Sequence, residues 1–223
     1  MDFRIASFID HTLLKPQATQ GDILTLCDQA VKYGFAAVCI NSKHVELAVN
    51  RLKGTPVRIA VVVGFPLGAG FSEVKAFEAK MAVEKGAQEI DMVADIGALK
   101  EGNFSRVGKD IGEVVMAAFP AEVKVIVETA LLTKKEKEKI CRIVMDSGAA
   151  YIKTSTGFVP EGGALLEDVL TFKKIVKDKI KIKASGGIKS LAFAQKLLDS
   201  GAERLGTSSS ISIIEEENEK ISK

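Results

Sequence analysis

The sequence predicts an α/β chain folded as a closed (β/α)8 barrel (TIM-barrel architecture), and three observations predict it. A phrase recurs in which a helical stretch stops at glycine and an apolar run follows. Strand-like segments stand between successive copies of that phrase, and amphipathic segments fill the intervals. The phrase occurs at Gly34-Phe35-Ala36-Ala37-Val38, Gly86-Ala87-Gln88-Glu89-Ile90, Gly148-Ala149-Ala150-Tyr151-Ile152 and Gly201-Ala202-Glu203-Arg204-Leu205. Glycine just past a helix takes the left-handed backbone that ends it without a steric penalty, so each copy reads as a helix stop feeding a strand. Successive copies are separated by about twice the ~30 residues of a strand–helix unit, so one more strand belongs in each interval.

In chain order, a short first strand is expected over 10–13, and the phrase supplies the second, fourth, sixth and eighth. The third, fifth and seventh fall over 58–64, 124–128 and 181–185. Helical periodicity is clear at Ile23, Cys27, Ala30 and Val31, and again at Val107, Ile111, Val114 and Ala118. Ser42, Ser72, Thr133 and Ser190 are expected N-caps, with Glu136 completing a capping box on Thr133. Eight such units without large insertions make a minimal barrel. A doubly wound open sheet is the alternative topology. No linker or low-complexity segment interrupts the chain, so residues 1–223 are expected to form a single domain. The charged stretch 215–223 is expected to be a frayed helical end.

Composition agrees and narrows the function. At 223 residues, 47% hydrophobic and 27% charged, the chain can bury a substantial core. Lys plus Arg number 31 against 29 Asp plus Glu, a net charge of +2 that does not suggest a nucleic-acid partner. No apolar run approaches the roughly 18 residues of a membrane span. Met1-Asp2-Phe3-Arg4 does not read as a secretion signal. Cys27, Cys39 and Cys141 are widely spaced and odd in number, so free thiols in a reducing cytoplasm are expected. With only His11 and His44, and no clustered cysteines, no metal site is expected. Both histidines are assigned structural roles, His11 at the first strand and His44 at a helix.

Strand parity then places charges where a core should be. In Glu89-Ile90-Asp91-Met92-Val93, Ile90 and Met92 suit the helix-facing side and send Asp91 inward. The same argument points Lys153 inward from Tyr151-Ile152-Lys153-Thr154-Ser155, and Lys183 inward from Lys181-Ile182-Lys183-Ala184-Ser185. A structural ion pair accounts for two of these charges and leaves the third. A second cation beside a buried lysine lowers its pKa from the ordinary ~10.4, and a neutral amine is what carbonyl attack requires. Parity also turns Lys124 and Glu128 inward, Lys124 at the bottom in a structural role and Glu128 near the mouth as a supporting hydrogen-bond partner. After the last two strands come Ser185-Gly186-Gly187-Ile188 and Gly206-Thr207-Ser208-Ser209-Ser210. Small loops at these positions of a barrel hold phosphate through N–H groups and helix N-termini, although ordinary turn chemistry uses the same residues. The loop Gly64-Phe65-Pro66-Leu67-Gly68-Ala69-Gly70 reads as a wall of the mouth.

Six blocks, in order, resemble the deoxyribose-phosphate aldolase family. They are Ile9-Asp10-His11-Thr12-Leu13-Leu14-Lys15-Pro16, Val63-Gly64-Phe65-Pro66-Leu67-Gly68, Glu89-Ile90-Asp91-Met92-Val93, Lys153-Thr154-Ser155-Thr156-Gly157-Phe158, Lys183-Ala184-Ser185-Gly186-Gly187-Ile188 and Gly206-Thr207-Ser208-Ser209. The resemblance implies a class I aldolase that reversibly cleaves 2-deoxy-D-ribose 5-phosphate to acetaldehyde and D-glyceraldehyde 3-phosphate. It implies that Lys153 forms the Schiff base, that Lys183 depresses its pKa, and that Asp91 is the acid/base with an ordered water. It further implies phosphate contacts from Thr156, Gly186, Gly187, Ser208 and Ser209, no cofactor or metal, and a cytoplasmic homo-oligomer, a dimer by preference.

Three positions depart from the pattern. Asp95 replaces an asparagine common in the family and, by parity with Asp91, is expected to raise the Asp91 pKa. Phe158 replaces a lysine found in some members. Ser210 replaces a common glycine. Another Schiff-base aldolase or a transaldolase would share most of these features. A non-catalytic phosphosugar-binding barrel would share the loops but not covalent trapping.

Overall fold

The structure, a computed structural model, describes residues 5–160 and 162–221. Eight parallel strands pair in chain order: β1 (Ile9–Leu13), β2 (Ala37–Ile40), β3 (Arg58–Val63), β4 (Glu89–Val93), β5 (Glu122–Ile126), β6 (Tyr151–Lys153), β7 (Lys181–Ser185) and β8 (Arg204–Thr207). Register pairs Ile9 with Leu205, Asp10 with Gly206 and His11 with Thr207, which closes the sheet and rejects the open alternative. Around it lie α1 (Gln20–Tyr33), α2 (Val45–Leu52), α3 (Ser72–Glu84), α4 (Ile96–Lys100), α5 (Phe104–Ala118), α6 (Lys134–Asp146), α7 (Leu166–Val176), α8 (Leu191–Asp199) and α9 (Ser210–Ile221).

The helix-stop reading holds in detail. Gly34, Gly86, Gly148 and Gly201 have φ of 71°, 104°, 78° and 106°, and each precedes a strand as expected. Outward side chains such as Ile90, Met92, Val125, Ile152, Ile182 and Leu205 are wholly buried against the helices in one continuous apolar layer. That layer supplies most of the favourable free energy of folding. It leaves the barrel interior free to hold something other than hydrocarbon.

Two of the four expected N-caps are made. Thr133 accepts from the Glu136 N–H in a complete capping box, and Ser190 accepts from Phe193. Ser42 and Ser72 instead lie just inside their helices, and their hydroxyls donate to Glu78 and Asp110. The pull comes from carboxylates that the fold brings near and a linear sequence does not reveal. Asp110 is one of them. It also binds Lys75, at 2.8 Å, in a buried pair that ties α3 to α5.

The fifth strand ends at Ile126 rather than 128, because Glu128 adopts φ 51° and opens a 3-10 turn over Thr129–Leu131. Helix α9 runs as far as Ile221 through the charged stretch expected to fray. Glu216 accepts the Leu191 N–H and Glu217 accepts the Ile5 N–H, so α9 is docked by its own charges. The last two residues lie outside the described residues. His11 is structural as expected, held between Ser210 and Gln29 at 2.9 Å each.

Candidate active site

The barrel interior is charged. Asp91, Lys153 and Lys183 all point inward, as parity requires, from β4, β6 and β7. They are at most 3% exposed. Lys153 and Lys183 both donate to Oδ2 of Asp91, at 2.7 Å each, and Lys124 donates to Oδ1 at 3.0 Å. Asp91 therefore holds three lysines.

Below it lies a layer that sequence reasoning largely missed. Asp10 accepts from Lys183 and from Arg204 (2.6 Å), while Glu89 accepts from Lys124 and from Arg204 (3.0 Å). The signal was present, because Glu89 shares parity with Asp91, and the alternation that exposed Lys153 applies equally to Asp10 and Arg204. Lys124 is more than a bottom-end structural group, since it spans from Glu89 up to Asp91.

The charges in this interior do not match. Three carboxylates (Asp10, Glu89, Asp91) face four basic groups (Lys124, Lys153, Lys183, Arg204), all buried. An uncompensated buried ammonium is costly, so the arrangement favours losing one proton. Lys153 is the group that yields it. Burial pushes its pKa down, and the Lys183 cation pushes the same way, against the pull of Asp91.

Lys183 goes the opposite way. Burial disfavours its charge, but Asp10 and Asp91 overcome this and hold it protonated well above the usual lysine range. Burial likewise works to raise the Asp91 pKa. Lys124, Lys153 and Lys183 outweigh it and keep that carboxyl well below the usual carboxylate range.

This overturns the expectation for Asp95. Its side chain caps α4, accepting from Ala98 at 2.9 Å, and pairs with Arg106 at 2.9 Å. The chain leaves β4 at Val93, so strand parity no longer governs the direction of Asp95.

Of the three inward groups, Lys153 lines a cavity of about 320 Å³ at the carboxyl-terminal mouth of the barrel. Lys183 and Asp91 sit beneath. The cavity wall includes Thr156, Gly186, Gly187, Ser208 and Ser209, which brings every expected phosphate-contact residue to one place. Gly186 and Gly187 both have left-handed backbones, with φ of 87° and 73°. A Cβ on Gly186 would come within 3.0 Å of the Gly163 Cα, so the loops after β6 and β7 meet backbone to backbone.

Two of the five have donors already engaged. The Thr156 N–H and hydroxyl both donate to Glu128 Oε2, and the Ser209 N–H donates to Thr207 Oγ1 at 2.9 Å. Thr156 is thus a fixed wall. Its hydroxyl accepts from the Phe158 N–H at 3.1 Å, and the Phe158 ring meets Phe65 edge-on at 5.0 Å. That contact seats the Gly64–Gly70 loop at the mouth, as expected of it. Lys15 and Lys189, which sequence reasoning did not single out, are exposed on the cavity rim and bring positive charge where Phe158 supplies none.

Fold and site together define a barrel with a buried lysine amine, its pKa pushed down, opening onto a glycine- and hydroxyl-lined pocket at the mouth. The chain belongs to the DeoC/LacD aldolase family, whose model matches residues 4–210. It is 52% identical over 216 residues to deoxyribose-phosphate aldolase of Caldicellulosiruptor saccharolyticus, covering 96% of this chain and 98% of that one. It is 51% identical to the protein of the same name from Thermococcus gammatolerans, covering 95% of each. A solved structure described as a unique tetrameric deoxyribose phosphate aldolase from Aeropyrum pernix superposes with a TM-score of 0.89 at 32% identity, covering 96% of this chain and 91% of that one.

Proposed function

We propose that this chain cleaves 2-deoxy-D-ribose 5-phosphate reversibly into acetaldehyde and D-glyceraldehyde 3-phosphate, through a Schiff base on Lys153. The observation that carries the reading is the surplus of one basic group in the barrel interior, with Lys153 as the one both held toward neutrality and open to the cavity.

The Lys153 amine lone pair attacks the C1 aldehyde carbon, and loss of water gives an iminium. The C2–C3 bond then breaks. Its electron pair moves into the iminium to form an enamine, while the C3 hydroxyl loses its proton and becomes the aldehyde of glyceraldehyde 3-phosphate. Protonation of the enamine at C2 regenerates an iminium, and water releases acetaldehyde. Asp91 lies in hydrogen-bond range of the reacting nitrogen and stabilises the positive charge that forms there. Because it sits below the cavity, we assign it proton transfer through an intervening water, with Lys183 as the fixed cation that returns Lys153 to its neutral form. Gly186, Gly187 and Ser208, with Lys15 and Lys189 at the rim, form the phosphate end that orients the scissile bond.

The setting we propose is a cytoplasmic homo-oligomer. Three buried, unpaired cysteines suit a reducing compartment, and the tetrameric description of the Aeropyrum pernix relative supports assembly. The reading is tested by incubating the protein with 2-deoxy-D-ribose 5-phosphate and following acetaldehyde release with alcohol dehydrogenase and NADH. Release of acetaldehyde in step with glyceraldehyde 3-phosphate is expected. Substrate that binds but is not cleaved would favour a non-catalytic phosphosugar-binding barrel.

A further inference from the structure

His11 is a polar exception on the outer face of β1. Ile9 and Leu13 share that face and pack in the apolar layer, whereas His11 is buried with both ring nitrogens engaged. Its ring centre lies 5.0 Å from that of Phe35, and burial lowers its pKa, so the imidazole is uncharged at neutral pH. A hydrocarbon of similar size would fill this space without burying polar atoms. What the imidazole adds is direction. Nδ1 lies 2.9 Å from Oγ of Ser210, 199 residues along the chain, and Nε2 lies 2.9 Å from the Gln29 amide on α1. Either tautomer can make the bond to Ser210, because a hydroxyl both donates and accepts.

Ser210 is wholly buried and opens α9. The Ser209 carbonyl accepts the Ile213 N–H, so Ser208 and Ser209 stand at the N-terminus of that helix, where both line the cavity. The turn from Thr207 to Ser210 is fastened at each end. Thr207 Oγ1 donates to the Ile188 carbonyl at 2.7 Å and accepts from the Ser209 N–H at 2.9 Å. Ser210 Oγ meets the Thr207 carbonyl at 3.1 Å and the His11 ring. The Thr207 bonds stay within the loops of the cavity wall. The His11 bond leaves them for β1, at the seam where register pairs His11 with Thr207 and closes the barrel.

We infer that His11 and Ser210 are positioning residues for the phosphate end of the cavity: their buried bond anchors the N-terminus of α9 to β1 and holds Ser208 and Ser209 where a phosphate monoester binds. Neither residue lines the cavity, so both act through the turn between them. An anion at a helix N-terminus is bound by N–H groups whose directions the backbone sets. A small shift of the turn therefore weakens several bonds to the anion together and leaves the Lys153 amine on β6 untouched. The inference rests on the phosphate end assigned under the proposed function, and not on the Schiff-base chemistry.

Calorimetric titration with 2-deoxy-D-ribitol 5-phosphate, which keeps the phosphate and lacks the aldehyde, reads this end of the cavity without turnover. Ser210→Ala should raise its Kd about tenfold, the contribution of one buried hydrogen bond, while borohydride trapping of acetaldehyde stays within about twofold. An asparagine amide reaches the position of Nδ1 and a glutamine amide that of Nε2. His11→Asn should therefore stay within about threefold of the native Kd, and His11→Gln should weaken binding as Ser210→Ala does. Combining His11→Gln with Ser210→Ala should cost no more than either alone, because both remove the same bond. Native affinity in Ser210→Ala, or a double variant whose loss is the product of the two single losses, would overturn the inference. So would a fall in trapping equal to the fall in affinity, which marks a general loosening of the barrel. A native chain that binds the probe without cleaving 2-deoxy-D-ribose 5-phosphate would refute the assigned reaction alone, and the variants would still decide the role of His11. A native chain that does not bind the probe would refute both.

Discussion

Lys153 and Lys183 donate to the same oxygen atom, Oδ2 of Asp91, each at 2.7 Å. Their nitrogens cannot be further apart than twice that distance, and both are buried. Two ammonium groups so placed repel strongly. The conflict is resolved by asymmetry, because Lys183 has Asp10 as a second carboxylate partner and Lys153 has no second one among the described residues.

Removing the fixed cation should move the pH profile of the amine. In Lys183→Leu the Lys153 pKa should rise toward the ordinary ~10.4, because one lowering influence is gone and Asp91 is freer to hold the charge. Each unit of rise reduces the neutral fraction at pH 7 about tenfold. Borohydride trapping with acetaldehyde, measured against pH, should therefore shift its rising limb to alkaline values. An unshifted limb would remove the coupling.

Replacing Asp91 should separate imine formation from bond cleavage. Asp91 raises the Lys153 pKa, so Asp91→Asn favours the neutral amine and should retain trapping. Turnover should fall about 10²- to 10⁴-fold, the usual contribution of a general acid/base group. Near-native turnover would mean that the proton moves by another route. The variant should also lose stability, by about 3–5 kcal/mol, since three lysines lose their shared counter-charge.

How much of this was legible from residues is clearest at Lys153 and Asp10. Glycine stops and alternating parity located the strands and turned Asp91, Lys153 and Lys183 inward, because backbone geometry alone fixes which side chains share a face. Asp10 obeys the same rule, yet His11 and Thr12 beside it are polar too, so no apolar alternation marks its face. Its partner Arg204 is 194 residues away, and only closure of the barrel brings them together. Asp95 failed for a related reason, since parity lapses where the strand ends. The donors of Thr156 could not be assigned from sequence either, because Glu128 claims them from the neighbouring loop.

Glu128 should act on the substrate's phosphate end through Thr156. Its carboxylate is buried and its backbone left-handed, and it fixes the loop that abuts Gly186. Glu128→Ala should raise KM for the phosphorylated sugar about tenfold, consistent with the loss of ~1.4 kcal/mol of positioning, while acetaldehyde trapping stays within about twofold. Glu128→Gln should restore most of the loss. Equal damage to KM and trapping would point to a general loosening of the fold instead.

Acid should weaken the fold through Asp10 and Asp91. Both carboxyls are held below their unfolded values, so they contribute stability above about pH 4 that is lost as pH falls below that value toward their native pKa values. Urea midpoints should drop between pH 5 and about pH 3. The drop should be smaller in Asp10→Asn, which starts from lower stability at neutral pH. A midpoint independent of pH across this window would show that the interior charges do not couple to folding.

The central assignment is tested most directly by reducing the protein with borohydride in the presence of acetaldehyde and mapping the modified peptide by mass spectrometry. The account predicts one ethyl group, on Lys153. Modification of Lys183 or of a surface lysine in its place, or no modification at all, would contradict it.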